Sequence, residues 1–261
     1  SASAMYGTLI DDETHYKHRM RFDKDRAELQ HIRNELITEM TGFEFAGEHF
    51  FGYDKTLNWS LSSYENEFRY GNKPNSEDNS YFVVRFDQKN VGYEGLEDRD
   101  TGKNYAYNTI DGGSDPWDQI STHLPSGFSF DPSQMGLSWV ELYKIKVNEK
   151  DKIVAALDFE WQLNSDLIVK VGAKFRDKER VARFSDEFYA WDTENYGAAP
   201  TLSDFTLADQ PGRSDYLSEL SYDYQSQFSQ VASTHDLANF WNKNKDKFVL
   251  DKSESALIEN G

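Results

Sequence analysis

The stretch IVAALDFEWQLNSDLIVKVGAKFRDKER, residues 153–180, decides how the rest of the chain is read. Taken two residues at a time, its first arm sets Ile153, Ala155, Leu157, Phe159, Trp161 and Leu163 on one face. Val154, Ala156, Asp158, Glu160 and Gln162 fall on the other. After Asn164-Ser165-Asp166, the second arm sends Leu167, Val169, Val171, Ala173 and Phe175 to one side and Ile168, Lys170, Gly172, Lys174 and Arg176 to the other. Side chains alternate across a strand, so this is a hairpin with one apolar and one charged face. Asp158 and Glu160 on one arm complement Lys170, Lys174 and Arg176 on the other, as cross-strand neighbours on a shared polar surface do. Two environments suit the apolar face. One is a second sheet in a soluble sandwich. The other is lipid, where strands of about 9–11 residues alternate apolar-out and polar-in, with aromatics near the interfaces.

Composition narrows the classes. The 261 residues carry 46 acids against 28 bases, a net charge of −18, which argues against a nucleic-acid partner held through its phosphates. Without cysteine there is no disulfide framework and no thiolate metal site. No apolar run is long enough for a membrane helix. Strand-built membrane proteins stay open, because their signal is alternation and a mean hydropathy of −0.79 does not sense it. Aromatics at 15% fit either interfacial girdles or a sugar-binding surface. Ser1-Ala2-Ser3-Ala4 lacks the basic start and apolar run of a secretion signal.

Alternation predicts seven strands, at about 1–22, 28–51, 56–70, 80–88, 137–147, 153–163 and 167–180, with long loops at 89–136 and 181–261. Strand one alternates Ala2, Ala4, Tyr6, Thr8 and Ile10 with Ser3, Met5, Gly7 and Leu9, then turns charge-rich. In the second, Thr41, Phe43, Phe45, Gly47, His49 and Phe51 oppose Gly42, Glu44, Ala46 and Glu48. Tight turns are expected at Gly52–Lys55 and at Asn164–Asp166, and a polar turn at Asn148–Lys152. If both tight turns lie on one side, Tyr81–Phe86 must run back toward that side. A further turn must then hide between Gln88 and Gly136, near Gly112-Gly113 or Pro125-Ser126-Gly127. A short helix is expected from about His235 to Lys245, with Thr234 as its cap and Asp236 in its first turn.

The sequence holds no phosphate-binding glycine loop, no G-x-S-x-G elbow, no H-E-x-x-H and no EF-hand pattern, and neither catalysis nor a cofactor is expected. Asp158 and Glu160 share a face at roughly 6–7 Å, a spacing open to glycoside chemistry but better explained by pairing with Lys170 and Lys174. His15 and His18 fall on opposite faces of a strand, which disfavours a metal cluster with Asp11 and Asp12. Asp111, Asp115 and Asp118 suit calcium ligation or plain solvation. The loop aromatics Trp117, Trp191 and Tyr196 suit stacking on a sugar or chelate ring, or packing of the loops on one another.

Two hairpins carry a resemblance. Leu157-Asp158-Phe159-Glu160-Trp161-Gln162-Leu163 followed by Val169-Lys170-Val171-Gly172-Ala173-Lys174-Phe175-Arg176-Asp177-Lys178 resembles the LDFxWxL…LKxGxKYRDK pattern of TonB-dependent outer-membrane receptors. Phe45-Ala46-Gly47-Glu48-His49, a short turn, then Leu57-Asn58-Trp59-Ser60-Leu61-Ser62-Ser63-Tyr64 resembles the same family's GGEH…WxLxYxxSYS hairpin. The resemblance implies an all-β fold: an antiparallel meander of long strands from a transmembrane β-barrel with long extracellular loops. It implies an internal barrel segment whose plug domain and TonB box lie elsewhere in a barrel of about 22 strands. The implied location is the outer membrane of a Gram-negative bacterium. The implied function is energy-coupled uptake of a scarce nutrient (metal chelate, vitamin or carbohydrate), with lipid, TonB and a small-molecule or oligosaccharide substrate as partners. On strand facing, Glu44, Glu48, Asp158, Glu160, Lys170, Lys174 and Arg176 would line the lumen. Trp117, Tyr189, Trp191 and Tyr196 would meet the substrate first. The alternative is a soluble, secreted β-sandwich that binds or cleaves carbohydrate, with a second sheet over Leu157, Phe159, Val169 and Val171.

Overall fold

The computed structural model describes residues 1–71, 80–98, 101–105, 120–123, 128–209 and 230–260. It is mostly antiparallel β-sheet. The strands are β1 (Ala2–Arg21), β2 (Arg26–Phe51), β3 (Lys55–Tyr70), β4 (Tyr81–Lys89), β5 (Glu94–Asp98), β6 (Asn104–Tyr105), β7 (Ile120–His123), β8 (Gly136–Gln162), β9 (Ile168–Trp191), β10 (Leu207–Ala208), β11 (Val231–Ala232), β12 (Phe248–Leu250) and β13 (Ala256–Asn260). Two helices, α1 (Thr193–Tyr196) and α2 (Thr234–Asn244), interrupt them. The main sheet runs β1-β2-β3-β8-β9-β12, with β4 between β2 and β8 and β13 also on β9. Strands β5–β7 form a separate small sheet, and β10 pairs with β11.

The parity problem posed by the sequence resolves without a hidden turn. Strand β4 is antiparallel to β2, pairing Arg26 with Lys89 and Arg33 with Phe82, while β3 pairs the other half of β2 from Leu36 to Phe51. Strands β3 and β4 therefore run the same way, in one column of the sheet broken by an insertion. Tyr81–Phe86 continues away from the tight turns rather than back toward them. Gly112-Gly113 and Pro125-Ser126-Gly127 lie outside the described residues. Nor is there a turn at Asn148–Lys152: the segments expected at 137–147 and 153–163 are one strand, β8, with a register shift between Asp151 and Ile153. Such a bulge spends one extra residue, so inward positions change from odd (Trp139, Glu141) to even (Asp158, Glu160).

Each long strand has two environments along its length. Near the tight turns at Gly52 (φ +73°) and Asn164–Asp166, apolar residues point outward and are exposed, including Phe45, Leu157, Val171 and Phe175. Toward the opposite, long-loop end the same outward face is covered. There Leu29, Phe82, Val84, Phe86, Val140 and Leu142 of the sheet meet Leu202, Val231, Leu237, Ala238 and Trp241 in one core. Helix α2 starts at Thr234, one residue before the expected His235, and its cap residue is Ser233 rather than Thr234, with no side-chain capping bond. The backbone N–H of Ala232 donates to Nε2 of the fully buried His31 at 3.0 Å, fixing β11 to β2. Strand β9 extends to Trp191, eleven residues past the expected end, and β12 and β13 pair with that extension.

Candidate functional site

The face opposite the apolar one carries the polar residues, and the ladder register brings them together. Glu44, Ser62, Val154 and Arg176 form one row; Glu48, Asn58, Asp158 and Gly172 a second; Phe50, Thr56, Glu160 and Lys170 a third. Lys174 stands opposite Ala156, between the first two rows. Lys170 pairs with Glu160 at 2.7 Å, as cross-strand charge matching anticipates. Arg176 instead grips Asp151 with two hydrogen bonds at 2.7 and 2.9 Å. The Tyr64 hydroxyl donates to Glu44 at 3.0 Å. Asp158 lies across Gly172: a Cβ there would stand 2.2 Å from its Oδ1, so a larger residue would displace the Asp158 carboxylate.

The expected loop aromatics are placed differently. Tyr189 and Trp191 sit on β9, not in a loop, and both pack in the core. The Tyr189 ring meets Trp241 at 5.0 Å, and Trp191 stacks on Phe240 at 6.0 Å. Tyr196 lies against Trp191, whose indole N–H donates to the Gly197 carbonyl. Of the two uses open to Trp191 and Tyr196, the structure gives them packing. Trp117 lies outside the described residues, as do Asp111, Asp115 and Asp118. Among the described residues no group of His, Asp and Glu has the geometry of a metal site.

Further along the polar face, at the long-loop end, is a trough of about 750 Å³ that the sequence reading passed over. One wall holds Lys17, Arg19, Arg21, Lys24, Arg26 and Arg85. Two buried carboxylates anchor it. Arg26 meets Glu28 at 2.6 Å, while Arg85, Arg19 and Arg21 approach Glu28 within 3.6–3.9 Å. Arg85 also makes a two-pronged pair with Asp87 at 2.8 Å and donates to Ser138. Charges buried as deeply as Glu28 and Asp87 persist only when paired. Arg21 chelates Asp23, whose carboxyl its hydrogen bonds hold below the usual range. The Arg85 guanidinium lies 4.9 Å from the Trp139 ring centre, and Trp139 meets Phe188 edge-on at 5.2 Å. Glu141, Asp251 and Glu254 line the other side, and burial, with Asp186 adding, pushes the Glu141 carboxyl up to about 7. The signal for this site was the alternation Lys17-x-Arg19-x-Arg21, which puts three cations on one strand face.

No family model, no curated protein and no solved structure matches the chain.

Proposed function

We propose that this chain is part of the wall of a TonB-dependent outer-membrane transporter, with its apolar face in lipid and its polar face toward the lumen. One observation carries the reading: a largely exposed apolar band crosses β3, β8 and β9 and reaches β2 at Phe43, Phe45 and Phe51, with Gly47 and His49 between them on that face. Phe45, Leu61, Ala155 and Phe175 are lateral neighbours; so are Trp59, Leu157 and Ala173, and Leu57, Phe159 and Val171. Soluble monomers rarely expose apolar patches beyond a few hundred Å². The band stops at outward ion pairs, Glu65 with Lys150 at 3.1 Å and Glu179 with Lys152 at 2.7 Å. Beyond these pairs the outward face carries further ion pairs, Arg69 with Glu39 and Lys146 with Glu67, before α2 and its neighbours cover it, so the membrane-spanning segments are about 1–10, 41–51, 55–63, 153–163 and 167–175. From Phe43 to Phe51 the band covers roughly 27 Å along the strand, which is about 20 Å of depth at the usual tilt, near the roughly 25 Å of outer-membrane barrels. Strands of such length, polar inside and apolar outside, suit uptake of a scarce solute driven through TonB. The outer edge of β1, and the edge of residues 168–181 of β9 away from β8, have no strand partner among the described residues, and lipid does not tolerate open edges. Further wall strands would pair there.

No described second sheet covers Leu157, Val169 or Val171, which weighs against the soluble sandwich. Cell fractionation with an antibody to residues 153–180 tests the proposal. A band in the outer membrane, several times larger than 30.2 kDa, is expected. A soluble secreted band at 30.2 kDa overturns it.

A further inference from the structure

We infer that the trough at the long-loop end binds an acidic oligosaccharide, a sugar chain bearing carboxylate, sulfate or phosphate groups. This deepens the transport reading, and rests on it only for the direction from which the ligand arrives.

Three surfaces of different chemistry meet in the trough. On the basic wall six cations face three carboxylates, Asp23, Glu28 and Asp87, so that wall alone carries three positive charges in excess, while the trough's other acids, Glu141, Asp251 and Glu254, stand on the opposite side. Glu28 and Asp87 hold the guanidinium forks in place, so an arriving oxyanion meets preset donors with little side-chain freedom left to lose. Tyr81, Trp139 and Phe188 border the cavity, and Arg85 holds the indole in a fixed orientation. Rings of this kind stack on the apolar face of a pyranose. Across the trough stand the carboxylates Asp251 and Glu254, which accept hydrogen bonds from hydroxyls. A bare polyanion finds no use for the rings and is repelled by that side. A neutral sugar seats no anion against the basic wall, whose opposing acids stand across the trough. A sugar chain with acidic substituents satisfies all three surfaces, and about 750 Å³ lies within the roughly 300–1,000 Å³ of ligand pockets.

Calorimetric titration of the purified full-length protein in detergent tests this, with trigalacturonate as ligand, maltotriose as the neutral control and citrate as the anion without a sugar ring. Trigalacturonate should bind about tenfold or more tighter than maltotriose, since hydrogen bonds to charged groups are stronger than neutral ones. Lys17→Gln with Arg19→Gln should weaken trigalacturonate about tenfold, and Lys17→Arg should leave it unchanged. Lys17 is exposed, so its replacement spares the fold. Trp139→Ala should weaken trigalacturonate and not citrate. Equal binding of maltotriose and trigalacturonate overturns the inference. So does citrate binding as tightly as trigalacturonate with Trp139→Ala silent, and so does binding of none of the three. A protein that binds trigalacturonate but fractionates as soluble keeps this site and loses the membrane reading. An outer-membrane protein that binds none of the three does the reverse.

Discussion

Replacing Val171 by arginine separates a lipid-facing wall from a water-facing one. Val171 is 64% exposed, and its ladder neighbour Phe159 is flanked in turn by Leu57. It lies four residues from Leu167 at the turn and four from Phe175 at the rim, about 14 Å along the strand each way at roughly 3.4 Å per residue. At a tilt near 40° that is about 10 Å of depth in either direction, which puts Val171 close to the middle of the band. Arginine at mid-membrane on a barrel's outer face costs about 2–4 kcal/mol, falling to about 0–1 near the interfaces. Val171→Arg should therefore destabilise the full-length protein by about 2–4 kcal/mol and Phe175→Arg by about 1 or less. Asn58→Arg, on the polar face between Glu48 and Asp158, should cost nothing measurable. The assay is urea unfolding from phospholipid vesicles, followed by tryptophan fluorescence. Were Val171 in water, its arginine variant would be close to neutral. A cost below about 0.5 kcal/mol, or one no larger than that of Phe175→Arg, refutes the reasoning.

Other perturbations address the covered core, the trough and the packing within the apolar face. Trp241→Ala removes the largest buried side chain of α2 and should cost about 3–5 kcal/mol locally, seen as rapid proteolysis within residues 230–250 while the band-end strands stay protected. Glu141, outside the membrane segments, has a folded pKa of about 7, above its unfolded value, so its contribution opposes folding above pH 7 and vanishes below about pH 4.5. Glu141→Gln should thus raise stability by up to about 3 kcal/mol at pH 8 and leave it unchanged at pH 4, read as the urea midpoint at each pH. Gly47→Val places a methyl-bearing carbon where a Cβ would stand 2.4 Å from the Trp59 indole nitrogen. The ring must leave its bond to His49, and a loss of about 1–3 kcal/mol with shifted Trp59 emission is expected.

The lower half of each strand was legible because one face is mostly apolar and the other mostly polar along its whole length, so alternation marks it without ambiguity. Glu44, Glu48, Asp158, Glu160, Lys170, Lys174 and Arg176 fall on one face as period two required. What failed was continuity. Asn148-Glu149-Lys150-Asp151-Lys152 is polar enough to read as a turn, yet it is where β8 passes the ion-pair belt and shifts register at Asp151. Tyr189 and Trp191 read as loop residues because the sheet there is covered on its outer face by α2, and residues on both faces become half-buried, so alternation fades. The basic trough was missed for another reason. Arg85 and Asp87 join Lys17, Arg19 and Arg21 only through the register of β4 on β2, which no local spacing encodes.

The account's central claim, that one face of this sheet meets lipid and the other water, is tested most directly by a nitroxide scan of β9. Spin labels would be placed singly at residues 169–179 of the full-length protein in vesicles, and their collisions with oxygen and with a water-soluble nickel chelate compared. The account predicts a period of two: labels at 169, 171, 173 and 175 favour oxygen, and those at 170, 172, 174 and 176 favour nickel. Oxygen preference should end at 177 and 179, where Asp177 and Glu179 leave the band. Uniform nickel access along the strand, with no alternation, contradicts it.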